Sequence, residues 1–224
     1  MSSRSVAFLF DVDNTLLDND RVVQDMKAYL RRKVGDEAAQ RYWTIFDRTR
    51  AELSYVDYLG SLQEARREMP RELHFQDVSR YLINYAFAQR LYPDALDVID
   101  RVKAWGQAAI LSDGDVVFQP RKIERSGLWD AVDGHVMIYV HKETEADEVL
   151  RRYPADHYVL FDDKLRLLTA FKRLWGPRIT TAWVRQGHYG LDPKSLAENP
   201  PPDLTLERIG DVLALDPAVL MPEA

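Results

Sequence analysis

Two aspartates follow directly on the first apolar run of the chain. Residues 6–10 read VAFLF and lead into Asp11 and Asp13, followed by Asn14 and Thr15. Because residues i and i+2 of an extended segment point to the same side, both carboxylates should face one space. Adjacent carboxylates in a low-dielectric crevice repel each other and need a cation or a shared proton. A hard divalent cation with oxygen ligands, such as Mg²⁺, is the natural partner, and it also bridges to phosphate.

A second acidic pair ends another apolar run. Residues 157–161 read HYVLF and are followed by Asp162 and Asp163. A lone Asp at a strand end usually caps a helix or forms a turn. Two strands that both end in paired acids favour a shared site instead, since ligands of open parallel sheets bind outside the carboxyl ends of the strands. We therefore expect the acids of both strands to gather around one divalent ion.

A hydroxyl and a lysine follow two further strand candidates. Residues 108–112, AAILS, end in Ser112, and Lys142 comes directly after the candidate at 135–140. A hydroxyl beside the amides of a Gly-containing turn can cradle a phosphate. A turn with a helix cap explains Ser112 equally well, and a lone lysine is usually a solvated surface charge. Beside the acids, however, Lys142 would offset carboxylate and phosphate oxygens.

The elements that must position these residues alternate after residue 93. Strands are predicted at 6–10, 108–112, 135–140, 157–161 and 178–184, and helices at 94–105, 116–126, 143–152 and 164–175. Alternating strands and helices predict βαβ units and a mostly parallel sheet. The fold class is therefore α/β, a Rossmann-like parallel sheet with helices on both faces.

The stretch 20–90 has a different pattern. Apolar residues recur at helical spacing in four groups, and Gly35, Gly60 and Pro70 are the candidate break points. We expect a helical cap domain at 19–89, inserted into a core domain formed by 1–18 and 90–224. A helical module that leaves and returns beside a strand end can act as a lid. In the tail, 199–203 (NPPPD) should be rigid and non-helical, and a short helix is expected near 205–214.

Composition excludes several classes of protein. The net charge is −6 with both signs interspersed, which argues against a nucleic-acid partner, and there is no cysteine for a disulfide, thiolate zinc site or nucleophile. The apolar run before Asp11 is too short for a signal peptide or a membrane span. These features favour a soluble, cytoplasmic protein with no membrane partner. An EF-hand beginning at Asp11 fails, because its sixth and twelfth positions are Leu16 and Val22.

The four motifs together resemble the haloacid dehalogenase superfamily of hydrolases. They appear in the family's order as DVDNT at 11–15, Ser112, Lys142 and the pair Asp162-Asp163, and the insertion resembles the family's helical cap. The resemblance covers about 5–190. Two departures are Leu167, which makes the fourth motif FDDK rather than GDxxxD, and Asp113, where many relatives have Asn. The paired form also occurs in the family, so metal binding is retained, with Asp163 favoured as the direct ligand and Asp162 nearby or acting through water.

The resemblance implies a mechanism. Asp11 attacks phosphorus and forms an aspartyl-phosphate, while Asp13 protonates the leaving oxygen and later accepts a proton from water. The resemblance places Mg²⁺ on Asp11, the backbone carbonyl of Asp13 and Asp163. It makes Ser112 and Lys142 the phosphate-binding residues, and Thr15 supports the turn.

Asp13 also distinguishes between branches of the family. Dehalogenases lack an acid at this position, since a departing halide needs no proton. The expected activity is therefore a Mg²⁺-dependent phosphatase acting on a small phosphorylated metabolite. A phosphomutase would keep all of these residues, and a non-catalytic partner-binding protein of the same fold is the alternative from another class.

Residues that set specificity are less evident. Arg48, Arg50, Tyr55 and Tyr58 could line the inner face of the cap, although such aromatic residues usually form a core and such arginines are usually solvated. Residues 186–189 follow the last predicted strand and either border the site or form a surface loop. The sequence predicts neither the substrate nor the oligomeric state.

Overall fold

The fold is built on a six-stranded parallel sheet. In the computed structural model, residues 5–53 and 55–221 are described. The strands are β1 (Val6–Phe10), β2 (Gln107–Asp113), β3 (Val136–Tyr139), β4 (His157–Asp162), β5 (Ile179–Val184) and β6 (Leu204–Leu206). Their order is β3-β2-β1-β4-β5-β6, and every pair is parallel. From β1 the chain adds β2 and β3 on one side, and from β4 it adds β5 and β6 on the other. The strand order therefore reverses between β1 and β4, which is where open α/β sheets bind ligands.

Helices cover both faces of this sheet. The helices of the α/β part are α4 (Ala95–Lys103), α5 (Phe118–Ser126), α6 (Leu128–Ala131), α7 (Ala146–Arg152), α8 (Leu165–Trp175), α9 (Gly187–Gly190), α10 (Lys194–Glu198) and α11 (Pro217–Leu220). Short 3₁₀ segments lie at Phe87–Arg90, Lys142–Glu145, Gly176–Arg178 and Ile209–Ala214. Along β1, Phe8 and Phe10 pack on the side of α4 and α5, whereas Ala7 and Leu9 pack on the side of α7 and α8. A strand buried on both faces explains the continuous apolar run that precedes Asp11.

The insertion between β1 and β2 is helical. It contains α1 (Asn19–Leu53), α2 (Tyr58–Glu68) and α3 (Phe75–Ile83). Gly35 interrupts α1 with φ 79° and ψ 171°, so α1 consists of two helical pieces that correspond to the first two predicted groups. Gly60 lies inside α2, and Pro70 follows the end of that helix. We refer to 19–89 as the cap, and its status as a separate domain stays a prediction.

The cap joins the sheet through two connecting segments, residues 16–18 and 90–92, which are hydrogen-bonded to each other. The backbone N–H of Asp18 donates to the Arg90 carbonyl at 2.7 Å, and that of Tyr92 donates to the Leu16 carbonyl at 2.9 Å. Beside them, the Tyr85 hydroxyl and the Arg90 guanidinium both donate to the Asp25 carboxylate, at 2.5 and 2.8 Å. The predicted boundaries at 18/19 and 89/90 fall at this paired connection. The outer ends of the predicted core, 1–4 and 222–224, lie outside the described residues.

The predicted fold class is confirmed, and the main difference is at the sheet edge. The five predicted strands are present, each within one or two residues of its expected bounds, but β6 was not predicted. Its three residues carry no pattern, since only Leu206 is buried. The helix expected near 205–214 is the 3₁₀ segment Ile209–Ala214. Among the described residues, none of the helices is both long and apolar enough to cross a membrane.

Candidate active site

The acids of β1 and β4 meet at the point where the strand order reverses. Phe10 is in register with Phe161, and the backbone N–H of Asp11 donates to the Phe161 carbonyl at 2.9 Å. Asp11 therefore leaves the sheet beside Asp162 and Asp163. Carboxylate oxygens of these three residues lie within 4.8 Å of one another, and all three side chains are buried. Acids from two strands that are far apart in the sequence thus lie together, whereas the Asp13 side chain is not part of this group of three.

The three acids differ in how many contacts they make. Within the described chain, neither Asp163 carboxylate oxygen has a hydrogen-bond partner, and neither does Oδ2 of Asp11. Burial raises the pKa of Asp163 well above its usual range, and the Asp162 and Asp11 charges raise it further. The Asp163 backbone is fixed, because the Trp183 indole N–H donates to its carbonyl at 2.9 Å. Asp163 thus presents an uncompensated buried carboxylate to Asp11.

Asp162 is occupied by protein groups. Its Oδ1 accepts the backbone N–H of Lys164 at 2.7 Å, and its Oδ2 lies 2.7 Å from the Lys142 ammonium, an ion-pair distance without hydrogen-bond alignment. Asp163 is therefore better placed than Asp162 to hold a cation directly. Three carboxylate oxygens without a hydrogen-bond partner among the described residues, one on Asp11 and two on Asp163, fit a hard divalent cation. This donor set contains no nitrogen or sulfur ligand that would favour a softer metal.

Lys142 lies beneath Asp11 and is fully buried. Its ammonium donates to Asp11 Oδ1 at 2.6 Å and to the Leu111 carbonyl at 3.1 Å, in addition to the Asp162 ion pair. Burial alone would lower the pKa of Lys142, but the charges of Asp11 and Asp162 outweigh it and hold the pKa above its usual value. Three oxygens thus surround an ammonium that has three protons. In this arrangement Lys142 orients Asp11, and its predicted role in phosphate binding remains a proposal.

Asp13 lies at the floor of the cleft next to the cluster, and its charge is balanced. Lys122 donates to both of its carboxylate oxygens, at 2.6 and 2.8 Å. The Gln119 amide lies 3.4 Å from Asp13 Oδ2 and donates to the Ser112 hydroxyl at 2.9 Å. The Asp13 side chain keeps about a quarter of its surface exposed (27%), whereas Lys122 keeps 1%. Asp13 is thus the acid that faces the cleft.

The two hydroxyls predicted for the site are both buried. Ser112 is positioned by the end of β2, where it accepts from Gln119 and lies 3.3 Å from the Asp113 carbonyl. The backbone N–H of Thr15 donates to the Val12 carbonyl at 3.3 Å, which supports the turn after β1. The Thr15 hydroxyl has no hydrogen-bond partner in the described part of the chain. Its predicted supporting role therefore acts through the backbone in this structure.

A cleft of about 1390 Å³ separates the cap from the sheet. Its floor includes Asp13, Lys122 and Lys164, and its cap side includes Trp43 and Tyr55. The charges of Asp11, Asp162 and Asp163 hold the pKa of Lys164 above its usual value despite burial, which acts in the opposite direction. The cleft lining therefore includes two cationic side chains near the acids, Lys122 and Lys164.

The segment 186–189 borders this cleft. Tyr189 accepts from Arg50 of the cap at 3.1 Å, and His188 Nδ1 lies 2.6 Å from Asp20. Gly187 has φ +64°, and a Cβ there would lie 2.3 Å from the Asn14 side chain, so the close approach requires glycine. Of the two readings of this segment, the structure supports the one that places it beside the site.

The other cap residues considered from sequence have different positions. Arg48 points away from the cleft and pairs with Glu68 at 2.8 Å. Tyr58 is buried against Phe118, with ring centroids 5.4 Å apart, and burial raises its pKa. Arg50, Tyr55 and Tyr58 line the cleft. Tyr58 therefore belongs both to the cleft wall and to the packed contact between cap and core.

Sequence reasoning missed Gln119, Lys122 and Lys164. Lys164 directly follows the acidic pair, a position at which a cation offsets the negative charge of the two carboxylates. Gln119 and Lys122 lie on α5, whose sequence FQPRKIERS reads as a polar surface helix. Their signal is spacing, since Lys122 falls four residues after Phe118 and four before Ser126, on the buried stripe.

Comparison with known proteins agrees with the fold and the motif order. The model of the family "haloacid dehalogenase-like hydrolase" matches residues 6–176. Comparison with curated proteins finds no match. A solved haloacid dehalogenase-like hydrolase from Burkholderia xenovorans LB400 is 54% identical over 95% of this chain and 99% of its own, with a TM-score of 0.90.

More distant solved structures share the fold. The HAD-hydrolase YfnB from Bacillus subtilis, solved bound to magnesium, has a TM-score of 0.63 at 17% identity over 95% of this chain and 98% of its own. L-2-haloacid dehalogenase from Xanthobacter autotrophicus, solved with chloropropionic acid covalently bound, has a TM-score of 0.59 at 19% identity over 97% and 99%. The family model spans most of the chain, and more than half of the residues are identical to those of the Burkholderia protein. The chain belongs to the haloacid dehalogenase-like hydrolases and is a hydrolase of that family.

Proposed function

We propose that this hydrolase is a Mg²⁺-dependent phosphoric monoester hydrolase that acts on a small phosphorylated substrate through an aspartyl-phosphate. One observation carries the proposal. Asp13, a second carboxylate, lies at the cleft floor beside the buried acids, held by Lys122 at 2.6 and 2.8 Å. An oxygen leaving group needs a proton donor, whereas a departing halide does not. A side chain that can carry a proton at this place therefore favours phosphate esters over haloacids.

In the proposed reaction, Asp11 is the nucleophile. One of its carboxylate oxygens forms a bond to phosphorus as the bond between phosphorus and the leaving oxygen breaks. Lys142 holds Asp11 Oδ1 at 2.6 Å, which leaves Oδ2 free of protein hydrogen bonds. The carboxylate is thereby oriented before the substrate arrives, which is the geometric condition for efficient attack.

Asp13 transfers the protons. It gives its proton to the leaving oxygen in the first step and takes one from water in the second, as that water attacks phosphorus. The bond between phosphorus and Asp11 then breaks, which releases inorganic phosphate and restores the Asp11 carboxylate. The Ser112 hydroxyl lies at the adjoining strand end, where it would donate to a phosphoryl oxygen.

The proposed metal ligands are Asp11, the backbone carbonyl of Asp13 and Asp163, with Asp162 next to them. Bound there, Mg²⁺ would offset the repulsion among the acids and the charge of the phosphoryl oxygens. The free oxygens of Asp163 and Asp11 support this assignment. Asp162 is contacted by the Lys142 ammonium and by the Lys164 backbone N–H, and it would help to orient the groups around the metal.

Parallel assays compare the proposed phosphatase activity with the dehalogenase activity for which the Xanthobacter autotrophicus neighbour is named. Release of p-nitrophenol from p-nitrophenyl phosphate should require Mg²⁺ and stop with a chelator, and chloride should not be released from 2-chloropropionate. Asp11→Asn should abolish phosphatase turnover, whereas Asp203→Asn, which alters a carboxylate held by Lys172 outside the site, should not. Metal-independent chloride release without phosphatase activity would contradict the proposal.

The substrate itself requires a screen. A panel of phosphorylated metabolites should give at least one compound turned over faster than the aryl ester, because the cleft has room for more than a phosphate. A blank panel together with an inactive aryl assay would favour the partner-binding alternative. Transfer of phosphate to a second hydroxyl of the substrate, rather than to water, would favour a phosphomutase.

A further inference from the structure

We propose that Lys122 is a positioning residue that aims Asp13 at the leaving oxygen and ties it to the cap. The inference rests on the proposed phosphatase function and adds to it a residue outside the four motifs of the sequence analysis. It comes from the buried face of α5 and from the contacts of one ammonium group.

The buried face of α5 is unusually polar. Its buried residues are Phe118, Gln119, Lys122, Ile123 and Ser126. A helix that packs on a sheet normally buries an apolar stripe. Lysine is almost never fully buried unless it is paired. The lysine on this stripe therefore indicates a requirement other than core packing.

The ammonium of Lys122 has an oxygen for each of its three protons. It donates to Asp13 Oδ1 at 2.6 Å, to Asp13 Oδ2 at 2.8 Å and to Asn19 Oδ1 at 3.0 Å. Its stem crosses the Phe118 ring, with Nζ 5.3 Å from the ring centroid. An ammonium that contacts both oxygens of one carboxylate, and a third oxygen beyond them, fixes the direction in which that carboxylate points.

Asn19 makes this contact a bridge between the two parts of the molecule. It is the first residue of α1, so Lys122 links the acid after β1 to the start of the cap. The same helix α5 is tied to the cap by Arg121 and Arg125, which donate to the carbonyls of Ile83 and Tyr85 at 3.3 and 3.2 Å. The leaving group must lie between cap and core, so an acid fixed relative to both is fixed relative to the leaving oxygen.

Stability alone does not account for the pair. Removing an ammonium from water costs several kcal/mol, and replacing a buried ion pair with packed apolar groups is often neutral or stabilising. Asp13 keeps 27% of its side chain exposed, so water can solvate it without Lys122. Lys122→Met, which preserves the stem, should therefore fold and lose orientation rather than stability.

The test compares two leaving groups. The p-nitrophenolate leaves with little need for a proton, whereas the phenolate of phenyl phosphate needs one. Lys122→Met should lower kcat/KM for phenyl phosphate by about thirtyfold and for p-nitrophenyl phosphate by no more than about threefold, with the loss in kcat. In an Asp13→Asn background the same change should have no further effect on phenyl phosphate. Lys103→Met, at a lysine that pairs with Asp133 on the far side of α4, is the matched control and should change neither value.

The results of these assays separate the positioning role of Lys122 from the proposed phosphatase function. Equal losses for both esters, or additive losses in the double variant, would overturn the positioning role while leaving the phosphatase intact. A wild-type protein that hydrolyses neither ester would overturn the proposed function and this inference together. If Lys122→Met does not fold, Asn19→Ala removes the cap-side acceptor of Lys122 and leaves Lys122 and Asp13 in place. It should lower phenyl phosphate turnover selectively, by about threefold, and an unselective effect would overturn the proposal.

Discussion

Two groups of carboxylates lie side by side at the carboxyl edge of the sheet and differ in charge balance. Asp11, Asp162 and Asp163 are buried together, and among the described residues the ammonium paired with them is that of Lys142, which contacts Asp11 and Asp162. Asp13 faces the cleft and has an ammonium of its own in Lys122. Proximity to other acids does not therefore predict the role of a carboxylate. The acid without a partner, Asp163, is suited to a cation, and the acid with one is suited to a directed proton transfer.

Removing the balanced acid, Asp13, should lower turnover by a large factor. In Asp13→Asn, hydrolysis of phenyl phosphate should fall by about 10²–10⁴-fold, the usual contribution of a general acid, with a smaller loss for p-nitrophenyl phosphate. Steady-state kinetics on the purified variant measure this. Binding of Mg²⁺ should be little changed, since Asp13 contributes its backbone carbonyl to the proposed site. Equal losses with both esters would show that Asp13 does not protonate the leaving group.

Removing Asp163, the unbalanced acid, should instead weaken the binding of Mg²⁺. At a Mg²⁺ concentration of 100 Kd, wild-type protein should gain about 2.7 kcal/mol in free energy of unfolding, or roughly 5–10 °C in Tm. Asp163→Asn should lose this gain, because it removes the carboxylate whose oxygens have no protein partner. Thermal melts with and without Mg²⁺ measure it, and Asp203→Asn is again the matched control. A full Mg²⁺ shift in Asp163→Asn would contradict the ligand assignment.

Without metal, the same acid should make stability depend on pH. Burial and the neighbouring acids raise the pKa of Asp163 above its ordinary value of 3.8. A group whose pKa is raised on folding contributes stability at low pH that is lost as pH rises through the folded-state pKa. In chelator, wild-type protein should therefore lose stability relative to Asp163→Asn as pH rises above 3.8 toward the folded-state pKa. The effect should be smaller than that of Mg²⁺, and parallel pH profiles for the two proteins would contradict it.

The smallest effect is expected where a charge is exposed. Arg50 reaches from the cap to the Tyr189 hydroxyl at 3.1 Å on the solvent side of the cleft. Exposed polar contacts of this kind contribute little, because water competes for both groups. Arg50→Ala should change kcat/KM by less than about threefold. A tenfold or larger rise in KM with kcat unchanged would instead show that Arg50 binds the substrate.

The parts of the molecule that sequence could predict are those where one force dominates. The strands β1, β2, β4 and β5 are mostly apolar runs that are buried along most of their length, and β3 is buried over its first half. The acids at the ends of β1 and β4 could be placed because parallel strands bring their carboxyl ends to one edge. β6 was missed because it depends on tertiary pairing with β5 rather than on its own three residues.

The site was only partly predictable for a related reason. Residues contributed by strand ends follow from topology, as with Asp11 and Ser112. Lys122 and Gln119 come from a helix face, where a polar residue is ordinarily solvated, so their burial became evident only from packing. The contact of Lys142 with Asp11 depends on the 3₁₀ turn Lys142–Glu145 that follows β3.

The most direct test of the account is to look for the phosphoryl group on Asp11. Wild-type protein mixed with p-nitrophenyl phosphate, quenched rapidly in acid and mapped by peptide mass spectrometry, should carry one phosphoryl group, on Asp11, and only when Mg²⁺ is present. The Asp11→Asn protein should carry none. Turnover of the ester with Asp11 unmodified at every quench time, or labelling that is equally strong in chelator, would contradict the claim that the acids of β1 and β4 hold a metal beside a carboxylate nucleophile.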